Sequence, residues 1–412
     1  MKKKLKDLLS IQSIADHGKD GFLYGPGPAE ALDYVLGVCE SMGFRTVNED
    51  GKYGYAEIGE GDKIIGILCH LDVVPAGEGW TYPPFAGTEA DGKIFGRGAM
   101  DDKGPAVANI FAVKDLVESG IPLNKRIRII FGQSEENGDW FDLDAYKEKE
   151  ELPDYGYTPD GDFPAIYAEK GILLLTLSMG LEESGFSELT AGSVPNMVPE
   201  RCRAILASGT VCETCGKSAH GSAPWEGENA LTKMMEQAKG EAPLARIYMD
   251  LIGYDVYGER LGCAFKDEVS GKLSVNTGLV KIENDRIYLY LDIRYPVTME
   301  KEKLVTDVTS KAASYGLEVQ QAHHMQPVYM EKHGPVMDCL LSAYRKVTGD
   351  LSEPIVIGGG TYARAMDNII AFGPTISGHE NREHKSDEYI SIEDLNSLRE
   401  VYRNALEELL HL

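Results

Sequence analysis

Residues Ile64-Ile65-Gly66-Ile67-Leu68-Cys69 form an uninterrupted apolar run that ends on His70-Leu71-Asp72. A run without polar alternation suits a strand covered on both faces, as in the interior of a parallel sheet. Parallel strands need crossover connections, usually helical, and the flanking chain supplies them. Pro28 stands at a favoured first-turn position, Leu32, Val35, Leu36, Cys39 and Met42 recur on one helical face, and Gly43 ends the pattern. Val107, Ile110, Val113 and Val117 repeat at helical spacing within 104–120, and 126–131 reads as the next buried strand. This β-α-β order predicts an α/β sheet with helices on both faces.

A chain of 412 residues exceeds one ordinary core, so two domains are expected. The middle of the chain changes character. Segments 172–179, 198–206, 273–281 and 286–295 read as strands, the last two flanking a Glu283-Asn284-Asp285 turn, and 230–237 reads as a helix. That α+β composition predicts a second domain over 173–328, inserted into a first domain made of 1–172 and 329–412. A final helix is predicted after Ser391, a good N-cap, with Leu395, Leu398, Tyr402, Ala405 and Leu409 on its buried face.

Sixty-six acidic against 41 basic side chains leave a net charge of −25, which opposes binding to nucleic acid. No apolar stretch is long enough to span a bilayer. The basic start Met1-Lys2-Lys3-Lys4-Leu5-Lys6 leads into no apolar signal core, so no export signal is expected. Seven scattered cysteines fit a reducing compartment, and the cytoplasm is the expected location. Cys212 and Cys215 form a lone C-x-x-C with no second pair, and ordinary strand cysteines are the expected reading.

The polar residues fall at chosen places. His70 follows the apolar strand directly, at the carboxyl end where open α/β sheets build their sites, and Asp72 is near enough to fix its ring. Gly96-Arg97-Gly98-Ala99-Met100-Asp101-Asp102-Lys103-Gly104-Pro105 is glycine-rich, but it lacks the G-K-[ST] of a phosphate loop and carries acids where an anion would bind. Asp101 at that turn can bridge two cations, one oxygen to each. Glu135-Glu136 follows the second buried strand; adjacent carboxylates repel unless one binds metal and the other moves protons. Asp160 lies in a Pro-Asp-Gly turn, and His384 precedes the last helix with His379 as a nearby competitor. Each signal has a plain alternative: a surface His-x-Asp, a solvated acidic pair, an ordinary turn. Together they suit two metal ions and hydrolysis by metal-activated water.

In combination, H-x-D, D-D-K-G-P, E-E, P-D and a late H resemble the co-catalytic zinc peptidases of the aminoacylase/carboxypeptidase/carnosinase family. The fuller forms H-L-D-V-V-P, G-R-G-x-x-D-D-K-G-P, S-E-E and G-G-T-Y-A-R are most similar to its bacterial Xaa-His dipeptidase branch. The resemblance covers nearly the whole chain. It implies a zinc-peptidase catalytic domain with a mixed, mainly parallel sheet and an inserted α+β lid. It implies that His70 pairs with Asp160 on one metal and Glu136 with His384 on the other, bridged by Asp101, with Asp160 preferred to Asp162. Glu135 would be the general base and Asp72 the group that orients His70. In the lid, His220 of Gly216-Lys217-Ser218-Ala219-His220-Gly221-Ser222-Ala223-Pro224 would donate to the oxyanion, against the plain reading of a surface turn. Asn196 matches a substrate-contacting position. Arg294 and Arg364 are candidates for the substrate's terminal carboxylate, through bidentate bonding; for Arg294 a strand-end ion pair is the alternative. Asn276 is a weaker candidate. The implied activity is cleavage of dipeptides or very short peptides with two divalent ions, zinc foremost and manganese or cobalt as alternatives. Rival readings are an N-acyl amino acid deacylase of aminoacylase or desuccinylase type, and a non-catalytic relative. The lid length favours a monomer over a homodimer.

Overall fold

The computed structural model describes residues 1–138 and 140–412. The chain divides into two compact units. The first comprises Met1–Tyr167, Met330–Ile355 and Thr361–Leu412, and the second Ala168–Tyr329 with Val356–Gly360.

The sheet of the first unit runs in the order Arg45–Asn48, Gly54–Ile58, Arg126–Gly132, Ile64–His70, Tyr155–Thr158, Ile369–Ala371. Its centre is parallel: Ile64–His70 pairs in that sense with Arg126–Gly132 and Tyr155–Thr158, and Tyr155–Thr158 with Ile369–Ala371. Antiparallel pairs flank it, Arg45–Asn48 with Gly54–Ile58 and the latter with Arg126–Gly132. The sheet is therefore mixed and only partly parallel. Every residue of Ile64–His70 is buried, as its unbroken apolar run requires.

The crossover to Arg126–Gly132 is helix Lys103–Glu118, which packs on both strands and against the C-terminal helix Ile392–Leu410. Ser391 caps that last helix, its hydroxyl accepting from Asp394 N at 2.8 Å. The first long helix opens at Pro26, not Pro28, and spans Pro26–Ser41, with Gly43 beyond it at φ 87°. Pro28 lies within the first turn, where the missing N–H again costs no intrahelical bond. A separate three-stranded sheet, Thr88–Ala90, Lys93–Phe95 and Tyr389–Ser391, ties the segment before Gly96 to the segment after Glu388.

The second unit is a seven-stranded antiparallel sheet in the order Val211–Cys215, Arg201–Leu206, Phe186–Ala191, Ser274–Glu283, Arg286–Tyr295, Gly171–Gly180, Glu318–Met325. Helices Ala230–Ala238, Pro243–Leu251 and Lys301–Ala313 contribute Leu231, Met234, Leu244, Tyr248, Leu304 and Val308 to a core of its own. The hairpin at 284–285 turns on two residues with positive φ, 50° and 59°, which asparagine and aspartate tolerate. Strand 198–206 begins later than its apolar pattern, at Arg201. Pro199 has no N–H to give a ladder, and Val198 N is already bonded to Ala219 O at 2.9 Å. Cys212 and Cys215 lie on strand Val211–Cys215 as free thiols, the first buried and the second exposed. Among the described residues, no helix is long and apolar enough to cross a membrane.

Candidate metal centre

Three parallel strands deliver the site. His70 is the last residue of Ile64–His70 and pairs in register with Gly132, so both strands end at one level. Glu135 and Glu136 follow Gly132 by a few residues, and Asp160 follows Tyr155–Thr158 by two. The carboxyl edge of the sheet thus gathers an imidazole and three carboxylates, the position at which open α/β sheets bind ligands. Gly132 leaves room for Tyr362, since a Cβ there would lie 2.0 Å from the Tyr362 hydroxyl oxygen.

Asp101 stands at the middle of the cluster. Its Oδ1 lies 2.8 Å from His70 Nε2 and its Oδ2 lies 2.9 Å from His384 Nε2. One carboxylate therefore reaches both rings, one oxygen to each. His384 Nε2 also lies 3.1 Å from Glu136 Oε2. Ligand atoms of His70, Asp101 and Glu136 fall within 4.8 Å of one another, as do those of His70, Glu135 and Asp160. Asp160 Oδ2 also accepts from Tyr362 N at 3.5 Å. Asp162 is outside these groups and bridges to Thr375, while His379 is taken by Asp394 at 2.9 Å.

Asp72 meets His70 through both its backbone and its side chain. His70 Nδ1 lies 3.1 Å from the Asp72 backbone oxygen and 3.5 Å from its carboxylate, so the main chain makes the closer contact to the ring. The carboxylate also accepts from Glu135 N at 3.1 Å and Glu136 N at 3.0 Å. It locks the turn that carries both glutamates.

Two site residues, Glu388 and Glu383, were given no role by the sequence, and two others, Asp102 and Tyr362, stood in quoted motifs without a role of their own. Glu388 is fully buried; its Oε1 accepts from Met100 N at 2.8 Å and Asp101 N at 3.3 Å, and its Oε2 binds Arg97 Nη1 at 2.7 Å. It holds the loop that presents Asp101. Asp102 accepts from His70 N at 3.2 Å through Oδ2, fixing the strand end from the other side. Tyr362 donates its hydroxyl to buried Asp142 at 3.1 Å while its N–H faces Asp160. Glu383 accepts from Asn381 at 2.9 Å, and burial, then the charge of Asp101, pushes its carboxyl up to about 8. Glu388 and Glu383 stood in the Glu383-His384-Lys385-Ser386-Asp387-Glu388 stretch already singled out for its histidine, which was the available signal.

The electrostatics suit cations. Burial, then Asp160, pushes the Glu135 carboxyl well above its usual range. Burial and Asp101 push Asp160 up to about 7 and raise Glu136 as well. Burial also opposes ionisation of Asp101, but His70 and His384 outweigh it and hold that group low. For His384 burial works downward, yet the bonds to Asp101 and Glu136 prevail and raise it to about 11. Crowded buried carboxylates are costly unless compensated. Two divalent ions would compensate them, and the imidazole-and-carboxylate donor set, with one acid reaching both rings, fits such a pair.

The other candidates are placed as follows. Arg364 is half-buried in the short helix Tyr362–Ala365, capped by the Thr361 hydroxyl. In the second unit, Asn196 is exposed and its carbonyl accepts from Gly221 N at 2.7 Å. His220 is exposed, with Nδ1 2.7 Å from Ser222 Oγ. Arg294 is buried, forked onto Asp292 at 2.8 and 2.9 Å, and donates to Gly358 O at 2.8 Å. That is the geometry of the strand-end ion pair. Asn276 donates to Pro195 O and Met197 O.

Comparison with known proteins agrees with this picture. A Staphylococcus haemolyticus protein provisionally named a dipeptidase is 34% identical over 450 residues, covering 98% of this chain and 96% of that protein. A Staphylococcus saprophyticus protein of the same provisional name is 35% identical with the same coverage. Among solved structures, the M20 family metallo-carboxypeptidase of Sulfolobus solfataricus matches with a TM-score of 0.66 at 18% identity, covering 100% of this chain and 99% of that one. The aminoacylhistidine dipeptidase of Vibrio alginolyticus matches at 0.61 and 14%, covering 99% and 95%. At these identities the likeness shows a shared fold. The model of peptidase family M20/M25/M40 matches residues 66–408, a span that holds every residue of the cluster, and the chain belongs to that family.

Proposed function

We propose that this protein is a two-metal dipeptidase, hydrolysing the peptide bond of dipeptides or very short peptides. The observation that carries the reading is Asp101, whose two carboxylate oxygens lie 2.8 and 2.9 Å from two different imidazoles. The names of the two staphylococcal relatives support the substrate class. In this reading His70, Asp101, Glu136, Asp160 and His384 hold the ions, with zinc foremost and manganese or cobalt as alternatives. A bound divalent pair lowers the pKa of water from about 16 towards about 7 and polarises a carbonyl.

The remaining chemistry belongs to the chain. Glu135 takes the proton of the attacking water and returns it to the leaving amine, work typically worth about 10²- to 10⁴-fold. Asp72 keeps Glu135 beside Glu136 through the two main-chain bonds described above. Burial of the cluster strengthens every one of these electrostatic interactions. The second unit serves as a lid in this reading. His220 donates to the oxyanion, Asn196 contacts the substrate, and Arg364 and Arg294 are the guanidinium candidates for its carboxylate, Arg294 with its fork already on Asp292. The active form is a single chain.

The test is a panel of free dipeptides (Ala-Ala, Leu-Gly, β-Ala-His) against N-acetyl and N-succinyl amino acids, with metal content measured on the same sample. Turnover of dipeptides by protein holding two ions per chain is expected. Turnover of N-acyl amino acids alone would replace the dipeptidase reading with a deacylase. In the same assay, His220→Ala should lower kcat by about 10²-fold with metal content unchanged; unaltered turnover would return His220 to a surface turn.

A further inference from the structure

Strand Ser274–Glu283 carries Asn276 in a buried position, only 2% exposed. Its Nδ2 donates to Pro195 O at 3.1 Å and to Met197 O at 3.0 Å. Those are the carbonyls on either side of Asn196. Its Oδ1 is buried without a hydrogen-bond partner among the described residues. Both protons of this amide are committed and its acceptor is not, so the side chain serves its neighbours as a double donor.

The strand is shaped for that approach. Its register to Arg286–Tyr295 shifts between Thr277 and Leu279, a bulge at Gly278. A Cβ at Gly278 would lie 1.8 Å from Pro195 O, so only glycine lets the turn settle onto the strand. From its other side the turn is laced to the loop that follows Gly216. Asn196 O accepts from Gly221 N at 2.7 Å, Val198 N donates to Ala219 O at 2.9 Å, and Met197 bridges His220. Gly221 is equally confined, its Cβ position 2.5 Å from Asp292 Oδ2, and Asp292 is the register partner of Asn276. Neighbouring strands thus present an amide and a carboxylate side by side to the two segments.

We propose that Asn276 is a positioning residue that aims the Asn196 side chain, by clamping the Pro195 and Met197 carbonyls that flank it from within the sheet. The inference rests on the reading of Asn196 as a substrate contact. With its two carbonyls released, the turn is held from one side only, and the Asn196 amide no longer has a single direction. Misplacement of a substrate-orienting group by about 1 Å can cost about 10²-fold in rate.

A double-mutant cycle on the full, metal-loaded chain tests this, using the best dipeptide of the panel above. Asn196→Ala and Asn276→Ala should each lower kcat/KM by about 10- to 100-fold per folded molecule, with the same division between kcat and KM and with two ions retained. The double variant should lose far less than the product of the single losses, because Asn276 then has no side chain left to aim. A purely structural role would lower stability and leave the kinetics of the folded fraction unchanged. Should Asn276→Ala fail to fold, Asn276→Asp keeps the shape, removes the donor pair and carries the same cycle. Wild-type kinetics in the folded Asn276 variant, or losses that multiply, would overturn the proposal while leaving the dipeptidase reading intact. Wild-type kinetics in Asn196→Ala would overturn the role of Asn196, and this inference with it.

Discussion

At the scale of single residues, the site is a matter of which atom faces which. Glu135 and Glu136 are chain neighbours, yet Glu136 lies against His384 while Glu135 groups with His70 and Asp160. In the proposed mechanism they divide metal binding and proton transfer between them. Glu135→Gln removes the base but keeps the shape, so kcat should fall by about 10²- to 10⁴-fold while two ions remain bound; metal analysis beside the rate measurement checks both halves. Glu388 touches neither imidazole, but its Oε1 sits on the main chain of Met100 and Asp101. Glu388→Gln replaces one of its two acceptor oxygens with a donor. Metal affinity should then weaken by about 10- to 100-fold, read by competition with a chelator.

At the scale of elements, the buried runs explain why the site is where it is. Ile64–His70 is apolar until its last residue, and Arg126–Gly132 is apolar or glycine after Arg128, which is buried against Glu57, so the polar residues of the site come where the two strands end. Parallel pairing aligns those ends, and His70 faces Gly132 across the ladder. The helix that closes the first unit, Ile392–Leu410, buries Leu395, Leu398, Tyr402, Ala405 and Leu409 as its sequence periodicity predicts. Its start depends on the Ser391 hydroxyl, which satisfies the Asp394 N–H. Ser391→Ala should lower unfolding free energy by about 1 kcal/mol, measured by urea denaturation.

At the scale of the whole molecule, each unit carries a core of its own. The first unit holds the entire candidate metal cluster, in segments drawn from both sides of the second unit in the chain. The clustered buried acids predict a linkage between metal and folding. Ions that bind the folded state alone stabilise it by mass action, about 2.7 kcal/mol at a hundredfold excess over Kd. Exhaustive chelation should therefore abolish peptide hydrolysis and lower Tm, and restoring zinc, manganese or cobalt should recover both. An unchanged Tm after verified metal loss would show that the acids are compensated without ions.

Much of this was legible in the chain because it depends on local rules. Apolar runs and helical periodicity mark buried strands and helices wherever they stand, and a histidine or an acid pair just beyond a buried strand is placed by the strand. His70 and the Glu135–Glu136 pair could be singled out on those grounds, and the central parallel pairs with them; Asp101 was marked by its glycine-rich turn, and the choice of Glu136 as ligand and of His384 over His379 came from the family resemblance. What sequence spacing does not determine is direction. That the Asp72 carboxylate meets two peptide N–H groups besides an imidazole is set by how the Glu135–Glu136 turn packs beside it. Arg294 forks onto Asp292 two residues away on its own strand, but whether it also meets the Gly358 carbonyl, and whether Glu388 is a surface acid or the clamp on the Asp101 loop, depends on residues far away in the chain. Hydrogen bonds are short and angular, so partners are chosen by tertiary packing, whereas burial follows from the apolar character that the sequence carries by itself.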